Sequence, residues 1–426
     1  MRLATAPKRG VRWAIVGLAA IAAIIAADGC GSTPGQTLAA TRIRGSTLTI
    51  YASAPLRGPS TVSGESVING GQLALDQIHN RIGEYRIALK VLDDATVARS
   101  GWDPGQTTIN VRLAVLDPTT IGYVGDFNSG ASAISIPPLN RVGIPQVSPT
   151  SSAVGLTSAT LGAQPGEPQK YYPTGIRTFA RVVPNDRIQA IAQVRVQQEM
   201  GCTATYVLTD GEVDGADAAQ SFEVAAQAAH LRIVKIQTFV RDASSYKGLA
   251  AGIAQVAPDC VLIAADTESG AVRLTTDLAA AMPTVKIFGT AGLAESTFAN
   301  PAQGGIPAWV DPRVVLTSPT LGLSEYPPSA RAFNVAYERR FGLPQPDAIF
   351  GYEAMSLMLD AIKRATDGGT EPAVRSRVRD AIFATRDRHS VLGTYSIDPD
   401  GDTTMDRYGV YGIVQGQLRF LEAIDA

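Results

Sequence analysis

Alternating strand-like and helical segments predict an α/β fold with two parallel sheets. Short apolar runs such as residues 48–51 and 261–265 recur along the chain and are separated by amphipathic stretches of helical length. This alternation is typical of βαβ units, in which helices cover both faces of a parallel sheet. It occurs in two rounds, separated by the Gly-, Pro-, Ser- and Thr-rich residues 155–174. A chain of 426 residues can bury two cores, so we expect two lobes, each with its own sheet.

The first round of elements ends near residue 147. Its predicted elements are a strand at 48–51, a helix near 65–80, a strand at 87–92, a helix at 104–116, and strands at 121–124 and 144–147. Asp103 is a suitable N-cap for the helix at 104–116, and Pro104 is suited to its first turn.

The second round follows an extended crossing segment at 179–184. Its predicted elements are helices at 187–200, 216–230, 244–256 and 269–281, and strands near 204, 232, 261 and 285. The remaining third of the chain predicts further elements of these lobes: a strand at 314–317 and helices at 329–341 and 347–365. A closing hairpin is expected between 393–397 and 408–414, with the aspartate-rich residues 398–402 as a polar turn. A calcium loop is disfavoured there because Gly409 occupies the position that requires glutamate.

Two hydroxyl-rich loops follow successive predicted strands. The strand at 121–124 leads to Asn128 and Ser129 at the start of a helix, and the strand at 144–147 leads to Ser151 and Ser152. Ligands of parallel sheets bind outside the carboxyl ends of the strands, where helix N-termini offer free N–H groups. These four residues therefore predict a binding site for a carboxylate or another small polar group. The alternative is that the serines only form turns and N-caps.

The composition excludes several classes of function. The chain has 37 basic and 39 acidic residues without a basic cluster in its body, so we expect no nucleic-acid partner. The three histidines are scattered, and the chain contains no nucleophile elbow, P-loop or zinc-ligand spacing. We therefore expect neither an enzyme nor a bound cofactor or metal.

The N-terminus has the layout of a secretory signal. Basic residues precede the apolar residues 13–27, which are too few for a confident membrane span. Cys30 follows directly and resembles the cysteine of a bacterial lipobox, which is acylated and becomes the mature N-terminus. We expect residues 1–29 to be a lipoprotein signal peptide and residues 30–45 a flexible tether. An ordinary signal peptide with a chance cysteine is the alternative.

The body of the chain has two further cysteines, Cys202 and Cys260. Each lies just before an apolar run that predicts a buried strand. If those strands are neighbours, their starting ends are close enough for a disulfide, which persists in an exported protein. Two buried thiols are the alternative.

Six short motifs, taken in order, resemble those of the type I periplasmic binding proteins. The branch that they resemble is the branched-chain amino acid (leucine/isoleucine/valine-type) substrate-binding lipoproteins of ABC transporters. The motifs occupy residues 54–59, 69–71, 93–94, 125–132, 145–149 and 179–184.

The resemblance implies two lobes joined by several strand crossings, with a ligand in the cleft between them. Residues 46–181 and about 320–389 would form lobe one, and residues 182–319 and 390–426 lobe two. The lobes would close on the ligand, and an ABC permease would recognise the closed form. The resemblance further implies an exported, lipid-anchored protein on the outer face of the cell membrane that acts as a monomer.

Family ligand contacts carry over to lobe one but not to lobe two. Ser129 matches the serine that binds the ligand α-carboxylate, and Ser151 and Ser152 match the second loop. In lobe two, Asp214 replaces a tyrosine that closes over the ligand, and a second aromatic position falls at Asp266 or Thr267.

These departures predict a more polar and more acidic pocket. Our hypothesis is that a carboxylate or polar head binds Ser129 and Ser152, while Asp214 or Asp266 receives an ammonium or hydroxyl group. The ligand class would be an amino acid or a related carboxylate. The alternative is that both aspartates are helix N-caps that face solvent. A sensory receptor of the same fold, binding an amide, urea or aromatic acid, remains a second functional hypothesis.

Overall fold

Two separate β-sheets form the framework of the structure, a computed structural model that describes residues 41–160 and 162–426. The first sheet and its helices are called the first lobe below, and the second sheet and its helices the second lobe. The predicted α/β fold with two largely parallel sheets is confirmed.

The first sheet is built before residue 182. The elements in this part of the chain are β1 Thr47–Ala54, α1 Thr61–Gln77, β2 Arg81–Ile82, β3 Tyr85–Asp93, β4 Ala95–Thr96, β5 Gly101–Trp102, α2 Pro104–Leu116, β6 Thr120–Val124, α3 Ser129–Arg141, β7 Gln146–Ser148 and β8 Phe179–Arg181. The strand order is β2-β3-β1-β6-β7-β8, and only the short β2 runs antiparallel to its neighbour. Leu48 and Ile50 of the inner strand β1 are fully buried, as expected for a parallel sheet covered on both faces.

The second sheet begins after the crossing at β8. The elements in this part are α4 Asp186–Glu199, β9 Ala204–Thr209, α5 Val213–Ala228, β10 Arg232–Thr238, α6 Lys247–Gln255, β11 Cys260–Ala264, α7 Ala271–Ala281, β12 Lys286–Gly289, α8 Ser296–Ala299 and β13 Val314–Ser318.

The last third of the chain contributes to both lobes. Its elements are α9 Pro328–Phe341, α10 Ala348–Ala365, α11 Arg375–Phe383, β14 Arg388–His389, β15 Thr394–Tyr395, β16 Arg407–Val414 and β17 Gln417–Asp425. The second sheet has the order β10-β9-β11-β12-β13-β16-β17. It is parallel up to β13 and antiparallel beyond it.

Helices α1 and α10 cross so closely that their backbones are in contact. A Cβ atom added at Gly70 would lie 2.2 Å from the carbonyl oxygen of Ala348, and one at Gly351 would lie 2.2 Å from that of Val67. Only glycine permits this approach. The crossing attaches the returning chain to the first lobe, although α10 is more than 160 residues from the end of that lobe's sheet.

The first hydrophobic core shows where the chain changes lobes. It contains Ile43 at one end and Val391, Tyr395 and Ile397 at the other, whereas Tyr408 is buried in the second lobe. The last residues of the expected tether are therefore packed, since the Ile43 amide also donates to the carbonyl of Ala373 at 2.9 Å. Residues 391–397, which the sequence interpretation assigned to lobe two, pack in the first lobe. The other lobe boundaries stay a prediction.

The hairpin predicted at the C-terminus was wrong. β15 pairs with β14, and β16 instead pairs with β13 and β17. The β16–β17 turn is Gln415-Gly416, whose φ angles are 52° and 71°, as in the two-residue turns that favour hairpins. Residues 398–402 form a polar turn of their own, in which an Asp398 carboxylate oxygen accepts three backbone N–H groups at 2.9 Å each.

The predicted N-terminal features lie outside the described residues. They are the signal peptide at 1–29, the acylated Cys30 and the start of the tether. Within residues 41–160 and 162–426, no helix combines the length and the apolar character that crossing a membrane requires.

Cys202 and Cys260 are joined by a disulfide, with their Cα atoms 5.8 Å apart. Their strands β9 and β11 are neighbours in the second sheet. The bond therefore ties the start of β11 to the turn between α4 and β9.

We expect Cys260→Ser to lower the free energy of unfolding by roughly 4 kcal/mol, because the bond closes a loop across 58 residues. Urea denaturation measures the loss. Cys202→Ser should cost the same, and the double variant no more than either single one. Unchanged stability in both single variants would mean that the bond contributes nothing in solution.

Candidate functional site

The carboxyl ends of strands from both sheets face each other across a small cavity. The loops after β6 and β7 lie on one side, and those after β9, β11 and β12 on the other. The cavity has a volume of about 40 Å³. Its lining comprises Ser60, Phe127, Asn128, Thr150, Ser152, Asp214, Asp266, Ala291, Gly292, Glu295, Pro319 and Asp347. Solute sites in proteins typically measure roughly 300–1,000 Å³, so the structure is a closed conformation.

Asp214 binds both predicted serines from the opposite lobe. It lies in the first turn of α5 and accepts hydrogen bonds from the Ser129 hydroxyl at 2.6 Å and the Ser152 hydroxyl at 3.3 Å. The Ser129 oxygen also accepts the backbone N–H of Ala153 at 3.2 Å. The two hydroxyl loops are thus brought together around a carboxylate of the chain itself.

A second contact between the lobes joins Asn128 to Asp266. The Asn128 side-chain amide donates to Asp266 at 3.0 Å. Asn128 is only 5% exposed, yet its Oδ1 atom has no hydrogen-bond partner. A buried acceptor without a donor is costly, so this atom is poised to accept a hydrogen bond from a ligand.

Ser60 adds a third contact between the lobes. Its hydroxyl lies 2.5 Å from Glu268 and 3.3 Å from Glu295. Both glutamates are buried. Together with the bonds of Asn128, Ser129 and Ser152, this contact closes the lobes around the cavity.

The cavity is strongly acidic. Four carboxyl groups line it (Asp214, Asp266, Glu295 and Asp347), and no Lys, Arg or His is among the described lining residues. Burial, reinforced by the neighbouring Glu268, raises the pKa of Glu295 to about 8 and that of Asp266 well above its usual range. Partial burial raises the pKa of Asp347 to about 7. In the closed, ligand-free form burial therefore favours the protonated state of these groups more than in the free side chains.

A larger groove lies elsewhere on the protein, but polar loops of the two lobes do not converge on it. It has a volume of about 440 Å³, lies beside the β16–β17 hairpin and is lined by Leu321, Tyr326 and Phe333 among others. None of its lining residues in the described part of the chain is charged. The polar loops converge on the small cavity, which makes that cavity the candidate site.

Comparison with known proteins assigns this architecture to a family. A family model described as "Periplasmic binding protein" matches residues 47–417. The chain belongs to this family. Its members bind solutes outside the cytoplasm and are not enzymes, and the resemblance to the branched-chain amino acid branch is confirmed.

Similar proteins include receptors for different solutes. The Leu/Ile/Val-binding protein BraC3 of Rhizobium johnstonii is 22% identical over 379 residues, which cover 87% of this chain and 93% of the relative. The leucine binding protein LivK of Thermotoga maritima has a TM-score of 0.75 at 18% identity. The superposition covers 89% of this chain and 99% of LivK. An ABC transporter solute binding protein of Rhodopseudomonas palustris, solved with 3,4-dihydroxybenzoic acid, has a TM-score of 0.71 at 17% identity, covering 90% of this chain and 98% of that chain. The solved structures share the fold.

Three of the predicted site residues, Ser129, Ser151 and Thr267, do not line the cavity of this periplasmic binding protein. The Ser151 hydroxyl is bonded to the Ser132 hydroxyl at 2.8 Å and donates to the carbonyl of Asp126 at 3.0 Å. Thr267 donates to the carbonyl of Gly292 at 3.0 Å. Neither aspartate is an N-cap facing solvent: Asp266 is buried and makes no capping bond, and Asp214 lies inside α5.

The lining residues that sequence reasoning missed include three with polar side chains from other parts of the chain, Ser60, Glu295 and Asp347. Ser60 follows β1 and Glu295 follows β12, so the rule that directed attention to β6 and β7 also applies to them. Asp347 precedes α10, far along the chain. No local pattern distinguishes it.

Arg181 positions the second hydroxyl loop of the binding protein. This fully buried side chain donates to the carbonyls of Ser151 at 3.0 Å and Ala153 at 2.7 Å. It also donates to Thr157 at 2.6 Å and to the Asp402 carboxylate at 2.7 Å. Although burial opposes ionisation, the Arg181 guanidinium keeps the pKa of Asp402 below its ordinary value.

We expect Arg181→Met to lower the free energy of unfolding by about 3–5 kcal/mol, because it leaves Asp402 as an unpaired buried charge. Arg177→Met is the matched control, since Arg177 pairs with the exposed Asp400 at 3.3 Å, and its loss should cost about 1 kcal/mol or less. Urea denaturation compares the two. Equal losses would contradict a special role for Arg181.

The stability of the ligand-free protein should depend on pH through Glu295 and Asp347. Their pKa values are about 8 and about 7 in the folded protein, above the ordinary 4.5 and 3.8. The folded form therefore binds these protons more tightly. This stabilisation is full below the ordinary values and is lost as pH rises through 7 and 8.

We accordingly expect Glu295→Gln to flatten the fall in Tm between about pH 5 and pH 8. Thermal denaturation of both proteins across this range gives the difference. Glu325→Gln, at a surface ion pair with Arg407, is the control and should follow the wild type. Parallel profiles for wild type and Glu295→Gln would show that water reaches Glu295 in the ligand-free protein.

Proposed function

We propose that this periplasmic binding protein is the extracytoplasmic receptor of an ABC importer and closes its lobes around a small polar solute. The observation that carries the proposal is the set of hydrogen bonds that cross the cavity, from Ser129 and Ser152 to Asp214 and from Asn128 to Asp266. Each bond joins side chains of opposite lobes. A solute in the cavity would contact both lobes and so favour the closed form.

The cavity volume supports a hinge motion. At about 40 Å³ it has no room for a whole amino acid. The lobes must therefore separate to admit a solute. The segments that cross between the lobes, near β8, in residues 319–327 and in residues 398–406, are where such a hinge would lie.

The partners follow from the family and from the N-terminus. An ABC permease would take up the solute from the closed receptor. Acylated Cys30 would hold the receptor, as a monomer, at the outer face of the membrane. The contacts of the cavity favour a polar solute over the aromatic acids bound by some relatives, since Phe127 is the sole aromatic lining residue in the described chain.

A solute present at a hundred times its dissociation constant should raise the free energy of unfolding by about 2.7 kcal/mol. The protein, stripped of bound solute by unfolding and refolding, is screened by thermal denaturation. Small-angle scattering then measures whether the molecule becomes more compact with the solute that binds. Binding without compaction would contradict closure.

Asn128→Ala should weaken binding of that solute about tenfold, because it removes a buried hydrogen bond between the lobes and the unpartnered acceptor Oδ1 at the cavity wall. Calorimetric titration measures the affinity. Ser158→Ala is the control, since among the described residues the Ser158 hydroxyl bonds only to Thr160. An unchanged affinity in Asn128→Ala would exclude this contact from the binding site.

A further inference from the structure

We propose that the solute is a small organic cation that lacks a carboxylate group, with its ammonium or guanidinium group held by Asp266, Glu295 and Asp347. This inference rests on the proposed receptor function and specifies its ligand. It departs from the amino acid or related carboxylate expected from the sequence.

A carboxylate of the protein already occupies the place expected for a ligand carboxylate. The Ser129 and Ser152 hydroxyls, which match carboxylate-binding positions, donate to Asp214. The backbone N–H groups that follow in that loop also have a partner in the protein. Val154 and Gly155 donate them to the Asp217 carboxylate at 2.7 and 3.4 Å. Asp214 and Asp217 are both residues of α5. A ligand carboxylate would have to displace them.

Beside a bound cation the cavity carboxyl groups ionise, and the groups that remain in the cavity then accept hydrogen bonds. The hydroxyls of Ser60, Ser129 and Ser152 donate to carboxylates, and the Asn128 amide nitrogen donates to Asp266. The unpartnered Asn128 Oδ1 is an acceptor, buried to 95% at the cavity wall. A ligand that fits must therefore supply N–H or O–H donors.

The charge of the cavity selects among such donors. Four carboxyl groups line it without a basic lining residue in the described chain. An anion would be repelled, and a neutral polyol would leave the carboxylates uncompensated when they ionise. A cation compensates them and donates to the remaining acceptors at the same time.

An organic cation fits better than a metal ion. Within residues 41–160 and 162–426, no group of three His, Cys, Asp or Glu side chains converges closely enough to hold a metal. The carboxyl groups are instead spread over both walls of the cavity. This arrangement suits an ammonium or guanidinium group, whose several N–H donors point in different directions. The aliphatic part of the ligand would require the wider, partly opened cleft.

Calorimetry with five probes tests the inference: putrescine and agmatine (cations without a carboxylate), lysine, leucine and benzoate. We expect putrescine or agmatine to bind at least tenfold more tightly than lysine, and leucine and benzoate not to bind. Glu295→Gln and Asp266→Asn should each weaken binding of the cation at least tenfold. Glu325→Gln should leave it unchanged, and thermal denaturation verifies that each variant is folded.

Asp214→Ala tests the occupied carboxylate position separately. Removal of this side chain frees Ser129 and Ser152, so lysine should gain affinity relative to putrescine. Tighter binding of leucine or benzoate than of either cation by the wild type would overturn the inference and leave the receptor function intact. A folded protein that binds no probe, and no other solute in the thermal screen, would count against both proposals.

Discussion

A single buried guanidinium holds together the three chain segments that the cavity requires. Arg181 ends the crossing strand β8, and its donors reach the second hydroxyl loop and Asp402 of the last crossing. A buried cation is tolerated only when its donors are satisfied and its charge is paired. The same bonds that satisfy Arg181 therefore fix the backbone of residues 151–153. Ser152 is presented to the opposite lobe as a result, while Ser151 is turned inward.

In the proposed receptor, the carboxyl groups of the cavity would couple recognition of the solute to closure of the lobes. Closing the lobes buries Asp266 and Glu295 with like charges nearby, which is why their pKa values rise. In the closed form either protons or a positively charged solute must compensate them. Closure without a solute is therefore most unfavourable at a pH at which these groups are ionised in the open form. A solute that supplies the missing charge favours the closed form by its differential affinity for it.

Part of this site could be predicted from the sequence. Ser129, Ser152, Asp214 and Asp266 follow strands, and the carboxyl ends of parallel strands share one edge of a sheet, so their convergence follows from local pattern and topology. The pairing of Ser129 with Asp214 could not be predicted, because it depends on how one lobe lies against the other. The inward turn of Ser151 likewise depends on Arg181. Asp347 reaches the cavity only because α10 crosses α1 at Gly70 and Gly351.

The sequence by itself determined the α/β class, the two sheets and the order of most strands, since apolar periodicity and strand-to-helix alternation are local properties. The tertiary structure decided the pairing of the last strands: the sequence predicted a hairpin of residues 393–397 with 408–414, whereas β16 pairs with β13 and, across the Gln415-Gly416 turn, with β17. It also decided that the hydroxyls matching carboxylate-binding positions meet a carboxylate of the chain. Contacts between residues tens to hundreds of positions apart have free energies set by packing and burial, which no local pattern encodes.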